Sequence, residues 1–360
     1  MNKTSKSTLL MRKLLIIAPY QFGELSDCYY WAKYAVLEGW AVTYIGYKYN
    51  KRNIKERHYP GVKVIGVTHY NSRILLGILF YLRCVYEILI HKHTNVIVCR
   101  MPGCQLLPKI FPQRNIILDV RTLSVSANPD VRFSKDKELA RIAALFNNCT
   151  VISEGVGDKI CKSYHVLPLG AEEISTKPKV FDSIRLFYIG TFNNRNLSEF
   201  IKGLAKFQKS FDGDISFDIV GGGNDEEERM IKSTICSTGV RGVSMHGYLT
   251  HDEAVSLFDK CNVGVCYVPV TDYYQHQPPT KLYEYLLSGM ACISTDTVAN
   301  LSVMNEDNGV VIKDTVDDVC RGLVEIGKKM HAFDSSRIVS NSLHYHWKNI
   351  VKNNVLSIMK

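Results

Sequence analysis

Short runs of consecutive apolar residues alternate along the chain with longer segments in which apolar residues recur every three or four positions. In the first half the runs are "KLLIIAPY" (13–20), "AVTYIGY" (41–47), "VKVIGV" (62–67), "NVIVCR" (95–100), "NIILDV" (115–120) and "CTVIS" (149–153). Unbroken apolar runs of this length predict strands buried on both faces. Helical spacing falls between them, in "SDCYYWAKYAVLEGW" (26–40), "RILLGILFYLRCVYEILI" (73–90), "SKDKELARIAALFNN" (134–148) and "EGVGDKICKSY" (154–164). Ser26 or Asp27 is placed to cap the first of these, and Gly39 to end it. Strand-helix alternation predicts a doubly wound, mostly parallel sheet.

The rhythm pauses at "HVLPLGAEEISTKPKV" (165–180), where Pro168, Gly170 and Pro178 stand among polar residues. A domain linker is expected there. The alternation then resumes, with strands at "SIRLFYIG", "ISFDIVGGG", "VSMHGY", "VGVCYVPV", "ACISTD" and "GVVIK" and helices between them. The expected organisation is α/β throughout: a first domain over 1–170, a second over 171–335, and a C-terminal helical segment over 336–360. The amphipathic stretch 342–360 is expected to pack back on the first domain.

Length agrees with two domains, since 360 residues exceed one ordinary core. The net charge of +9 favours anionic partners without choosing among nucleotides, nucleic acid and acidic membranes. Eleven cysteines occur without a CxxC pair, mostly inside apolar runs, which points to buried reduced thiols in a cytosolic protein. Arg12 and Lys13 interrupt the N-terminal apolar residues, so a first strand is expected there rather than a signal peptide. Arg83 and Glu87 interrupt 73–90, which reads as a buried or surface-associated helix rather than a bilayer span. The basic cluster "KYNKRNIKERH" (48–58) reads as a solvated loop, and no aromatic-basic interleaving suggests RNA binding.

Ligands of open parallel sheets bind beyond the carboxyl ends of the strands, so the strand-to-helix turns carry the chemistry. Three stand out in the second half. "YIGTFNNRNLSEF" ends a strand at Gly190 and brings Arg195 to a helix start, which suits a phosphate or an ordinary capped loop equally. "FDIVGGGNDEEERM" places three glycines after a strand, with Asn224 or Asp225 as a cap. Its acidity disfavours a pyrophosphate, whereas a base or sugar edge can approach Gly221 and Gly222 closely. "QPPTKLYEYLLSG" sets Pro278 and Pro279 before a helix that Thr280 can cap, with Lys281 beside the exposed amides. Glu284 lies one turn on, where it can take hydrogen bonds from the vicinal hydroxyls of a ribose or pair with Lys281.

These motifs, in this order and spacing, resemble the C-terminal domain of GT-B glycosyltransferases, specifically the retaining family 4. "PPTKLYEYLLSGMACIST" is similar to the proline-threonine-lysine donor loop of enzymes that build surface polysaccharides. The first half matches through "LLIIAPY", "NIILDVRTLS", "CTVISEGVGDKI" and "VLPLG", and the likeness spans 12 to about 335. It implies two Rossmann-like domains facing across a cleft, a nucleotide-diphosphate sugar held by the second, and a glycan or lipid-linked acceptor on the first. It also implies transfer with retention and without a bound metal or other cofactor. By position, Arg195 and Lys281 would stabilise the diphosphate, Glu284 the ribose, and Gly221, Gly222 and Tyr248 would line the base. Gly23 matches a loop approaching the phosphates, and Asp119 and Arg121 fall where the acceptor side is expected. Two departures stand out: His276 occupies the place of the first glutamate of the Glu-x7-Glu motif, and Thr191 replaces the usual arginine after Gly190.

The leading expectation is therefore a glycosyltransferase of polysaccharide (O-antigen, capsule or exopolysaccharide) assembly. It would be cytoplasmic, at the inner face of an anionic membrane, with no nucleic-acid partner. A nucleotide-sugar 2-epimerase shares the architecture but needs a set of cleft acids and bases that the sequence does not display. A non-catalytic nucleotide-sugar-binding subunit is the third possibility, kept open by His276 and Thr191.

Overall fold

The computed structural model describes residues 12–49, 57–68, 72–126 and 128–360. It places the apolar runs of the first half in one parallel sheet of order β3-β2-β1-β4-β5-β6-β7. The strands are β1 (Lys13–Ile17), β2 (Ala41–Lys48), β3 (Val62–Thr68), β4 (Asn95–Cys99), β5 (Asn115–Val120), β6 (Asn148–Val151) and β7 (His165–Val166). β1, β4 and β5 are buried almost throughout, which is why their sequences carry no polar alternation. The second sheet is also parallel, of order β10-β9-β8-β11-β12-β13. It comprises β8 (Ile184–Ile189), β9 (Ile215–Val220), β10 (Val243–Met245), β11 (Val263–Cys266), β12 (Ala291–Thr295) and β13 (Gly309–Ile312). In each sheet the strand order reverses at one point, between β1 and β4 and between β8 and β11, where such folds bind ligands. The architecture is thus α/β with two Rossmann-like units.

The units are Met1–Pro168 with Trp347–Lys360, and Leu169–His346. The second unit is longer at both ends than the expected 171–335. Its C-terminal extension is held by contacts: the Tyr345 carbonyl accepts from the Ala171 amide at 3.0 Å, and the Tyr345 ring packs edge-on against Tyr283. The expected linker is not a free segment either. His165–Val166 pairs with β6, and from Leu169 onward the chain packs on the second unit, where Ser288 Oγ accepts from the amides of Ile174 and Ser175. Pro and Gly mark the crossover here, but buried hydrogen bonds fix it.

Trp347–Lys360 groups with the first unit through specific contacts. Trp347 is buried and stacks on Tyr30 at 5.5 Å. Asn95, Asn115 and Asn148 form a side-chain ladder along the start of β4, β5 and β6. Two of them donate to the tail, Asn95 to the Lys360 carbonyl at 2.8 Å and Asn115 to that of Ile358 at 3.1 Å.

Helix ends differ from expectation in three places. The helix Ser26–Leu37 follows Leu25 and has no side-chain cap, because Asp27 pairs with Arg121 instead. The helix expected from Ser134 begins at Pro129, where Asn128 caps it. The helix Thr280–Leu287 starts with Thr280 inside it and Pro279 at the cap position, so the Thr280 hydroxyl caps nothing. Eight of the eleven cysteines are buried and none forms a disulfide. The N-terminal residues 1–11 and the basic residues 50–56 lie outside the described residues.

Candidate functional site

At the switch point of the second sheet, the turns after β8 and β9 touch through their backbones. The Gly190 amide donates to Val220 at 3.0 Å and the Phe192 amide to Gly222 at 2.9 Å. Gly221, at φ +138°, has no room for a side chain: a β-carbon there would fall 1.8 Å from the Gly190 carbonyl oxygen. Next to these turns lies a pocket of about 440 Å³, bounded by Gly190, Gly221, Gly222, Tyr248 and His251. Gly190, Gly221, Gly222 and Tyr248 are thus brought together as the sequence suggested. Tyr248 is largely exposed, an aromatic face with no protein covering it.

Gly190 also makes room for a charge. Lys281 reaches back from the start of its helix until its Nζ stands 3.0 Å from where a β-carbon on Gly190 would be. The ammonium lies 3.5 Å from the centre of the Tyr188 ring, is buried, and makes no hydrogen bond among the described residues. Burial pushes its pKa down from 10.5 to about 7; Cys266 opposes this most, Arg195 adds to the depression, and Glu284 opposes it least. Arg195 is held between Asn194 and Asn196, both in left-handed backbone that asparagine tolerates better than most residues. Its guanidinium lies 4.6 Å over the Tyr274 ring, and its buried Nη1 lacks a hydrogen bond. Two cations that sense one another, with no carboxylate paired to either among the described residues, leave a local excess of positive charge. Because Pro279 brings no side-chain acceptor, the first-turn amides of the Lys281 helix are left without a side-chain cap as well.

Glu284 is buried and does not ion-pair with Lys281, one of its two possible roles in the sequence. Its Oε1 instead lies 3.0 Å from His251 Nε2. His251 was not anticipated. It opens the helix His251–Lys260 behind a Thr250–Glu253 capping box. His276 sits in the turn after Thr271 that also carries Tyr274, and it is not among the residues bounding the pocket. Thr191 offers its carbonyl to the Tyr188 hydroxyl at 2.7 Å.

The remaining predicted residues belong to the first unit. Gly23 takes φ +90° in the turn after β1, and a β-carbon there would strike Arg57 at 2.6 Å. That local packing accounts for the glycine. Asp119 and Arg121 line a second pocket of about 330 Å³, at the carboxyl ends of β1, β4 and β5. Arg121 pairs with Asp27 at 2.7 Å and donates to the Leu167 carbonyl at 2.6 Å. Asp119 is fully buried and accepts the Thr150 hydroxyl at 2.7 Å. Burial raises its pKa to about 6, against the lowering effects of Arg121 and Thr150. Among the described residues no three His, Cys, Asp or Glu side chains gather as a metal site.

Residues 183–328, which hold the pocket, Arg195, Lys281 and Glu284, match the family described as glycosyl transferases group 1. The protein is a glycosyltransferase. No curated protein matches its sequence. Solved structures share its fold over nearly their whole length. One is Anabaena HepE in complex with UDP (11% identity, 97% of this chain and 99% of that one, TM-score 0.71). A lipopolysaccharide outer core galactosyltransferase is similar (14% identity, 96% and 99%, TM-score 0.67). So is the trehalose-phosphate synthase of Burkholderia xenovorans in complex with glucose-6-phosphate (10% identity, 97% and 100%, TM-score 0.67). At such identities they carry the GT-B fold and no assignment of substrate.

Proposed function

We propose that this glycosyltransferase is a retaining, family-4 type enzyme. It would transfer a sugar from a nucleoside-diphosphate sugar to a glycan or lipid-linked acceptor in surface polysaccharide assembly. The carrying observation is the pair Lys281 and Arg195, two cations with buried, unpartnered nitrogens beside a glycine turn and an uncapped helix start. Desolvated charge without a counter-ion is costly in a folded protein, and a diphosphate is the ligand that relieves it. In the transfer step the bond between the sugar C1 and the diphosphate oxygen breaks, and negative charge grows on that oxygen. Preorganised cations there stabilise the transition state, with no bound metal invoked. Glu284, steadied by His251, receives the ribose hydroxyls, and Tyr248 and the glycine turns border the base.

The test is a thermal-shift and calorimetric screen of UDP, GDP, ADP and their sugars, followed by an assay for released nucleoside diphosphate. Binding that is lost in Arg195→Ala, with a turnover loss of roughly a hundredfold or more, supports the reading. A variant with near-full turnover contradicts it.

A separate observation supports a place at a membrane face. The helix Arg73–His91 buries Leu76, Phe80, Cys84 and Ile88, yet Ile74, Ile78, Leu82, Tyr86 and Ile90 recur every four residues as an exposed apolar stripe. Its only acid, Glu87, is buried and compensated by Arg83, Lys63 and His91 at 2.6, 3.7 and 3.3 Å. An apolar stripe with basic and no exposed acidic residues suits a helix lying in an anionic interface. We place the enzyme in the cytoplasm, peripherally bound at the inner face of that membrane.

A further inference from the structure

The first unit's pocket, at the switch point between β1 and β4, has a charge arrangement that discriminates between acceptors. Its walls include Tyr20, Asp27, Arg100, Asp119 and Arg121. Each arginine is already engaged by a carboxylate: Arg121 with Asp27 at 2.7 Å, and Arg100 with Glu138 at 2.7 Å. Asp119 adds a second carboxylate, 3.9 Å from the Arg121 guanidinium. A phosphate or carboxylate entering here would meet two acids and no unengaged guanidinium. What the walls leave unsatisfied is of two kinds, donors at Arg121 Nε and Trp31 Nε1 and an acceptor at Asp119 Oδ2, all buried and without hydrogen bonds. A hydroxyl group gives and receives a hydrogen bond at once and so answers both. Tyr20, 38% exposed, adds an aromatic surface at the mouth.

We infer that this pocket receives an uncharged sugar residue of the acceptor through its hydroxyls and discriminates against sugar phosphates. The inference rests on the transferase reading above and narrows its acceptor. It sets this chain apart from the synthase whose structure holds glucose-6-phosphate. Asp27 is the discriminating residue, because its carboxylate occupies the guanidinium that a phosphate would need.

The experiment uses the full chain and saturation-transfer NMR with calorimetry. The probes are the methyl glycosides of glucose, galactose, mannose and N-acetylglucosamine, the 6-phosphates of the parent sugars, and inorganic phosphate. At least one methyl glycoside is expected to bind in the millimolar range, more tightly than any phosphate, and to weaken in Tyr20→Ala. Asp27→Asn, which releases Arg121, is expected to gain about tenfold in affinity for 6-phosphates. The inference is overturned if the wild type binds 6-phosphates or inorganic phosphate more tightly than every glycoside. It is equally overturned if no glycoside binds at tens of millimolar, or if Asp27→Asn, still folded by its melting temperature, gains nothing. UDP binding in the same samples reports on the second unit alone, so a failure of the donor reading appears separately.

Discussion

The Lys281 ammonium lies 3.5 Å from the centre of the Tyr188 ring, beside Gly190 and with no carboxylate partner among the described residues. Such an arrangement is unfavourable until an anion arrives. Lys281→Met is therefore expected to stabilise the ligand-free protein near pH 7, by an amount on the order of a few kcal/mol, and to abolish nucleotide binding. Because the folded-state pKa is lowered, the residue's contribution to stability is complete above 10.5 and is lost as pH falls through about 7. The melting-temperature advantage of the variant should therefore shrink as pH rises from 7 toward 10.5. A constant advantage would show that the gain is not electrostatic.

The same lysine is expected to make binding of a nucleoside diphosphate pH-dependent. Above about pH 7 the free protein loses the Lys281 proton, while a bound diphosphate holds it. Affinity for nucleoside diphosphate should fall as pH rises above 7, by at most about tenfold per pH unit. Binding should also take up protons, which calorimetry in buffers of different ionisation enthalpy measures. A pH-independent affinity that persists in Lys281→Met would remove Lys281 from the site.

His251 and Glu284 should act as one unit. Glu284→Gln and His251→Ala are each expected to weaken donor binding while leaving the fold intact. Their effects should fall short of additive in the double variant, with an interaction energy of about 1 kcal/mol. Strict additivity would mean that His251 does not work through Glu284.

The exposed stripe predicts flotation with anionic vesicles at low salt and weaker flotation with neutral ones, each basic residue near the surface contributing about 1 kcal/mol. Ile78→Glu with Leu82→Glu should abolish flotation without changing the melting temperature, since these side chains are 52% and 56% exposed. A wild-type protein that stays at the bottom of the gradient with both lipids would point to a soluble acceptor.

The strands were legible because parallel sheets bury both faces and leave unbroken apolar runs, as in "KLLII" and "NIILDV". The turns of the second unit's candidate site were legible for a related reason: three glycines after β9 and two prolines before Thr280 are costly unless geometry requires them. Other features depend on partners distant in sequence. The i,i+3 spacing of Lys281 and Glu284 left open a pair as the alternative to a ribose contact, but the fold gives Glu284 to His251, 33 residues away, and the lysine has no carboxylate partner among the described residues. Ser26 or Asp27 stood where a helix cap is expected, but Arg121, 94 residues on, takes the Asp27 carboxylate. In the helix Arg73–His91 apolar residues occur on every side, so periodicity could not say which face stays exposed.

The return of Trp347–Lys360 to the first unit has a bearing on how the chain comes off the ribosome. Leu169–His346 is one continuous stretch and can fold as soon as it emerges. The first unit waits for fourteen residues made after all of it, a delay of roughly ten to forty seconds at typical synthesis rates. Until then the groove for Trp347 is open and the asparagines at the start of β4 and β5 lack the carbonyls they later bind. Of the two units, the one whose sheet is made first is completed last.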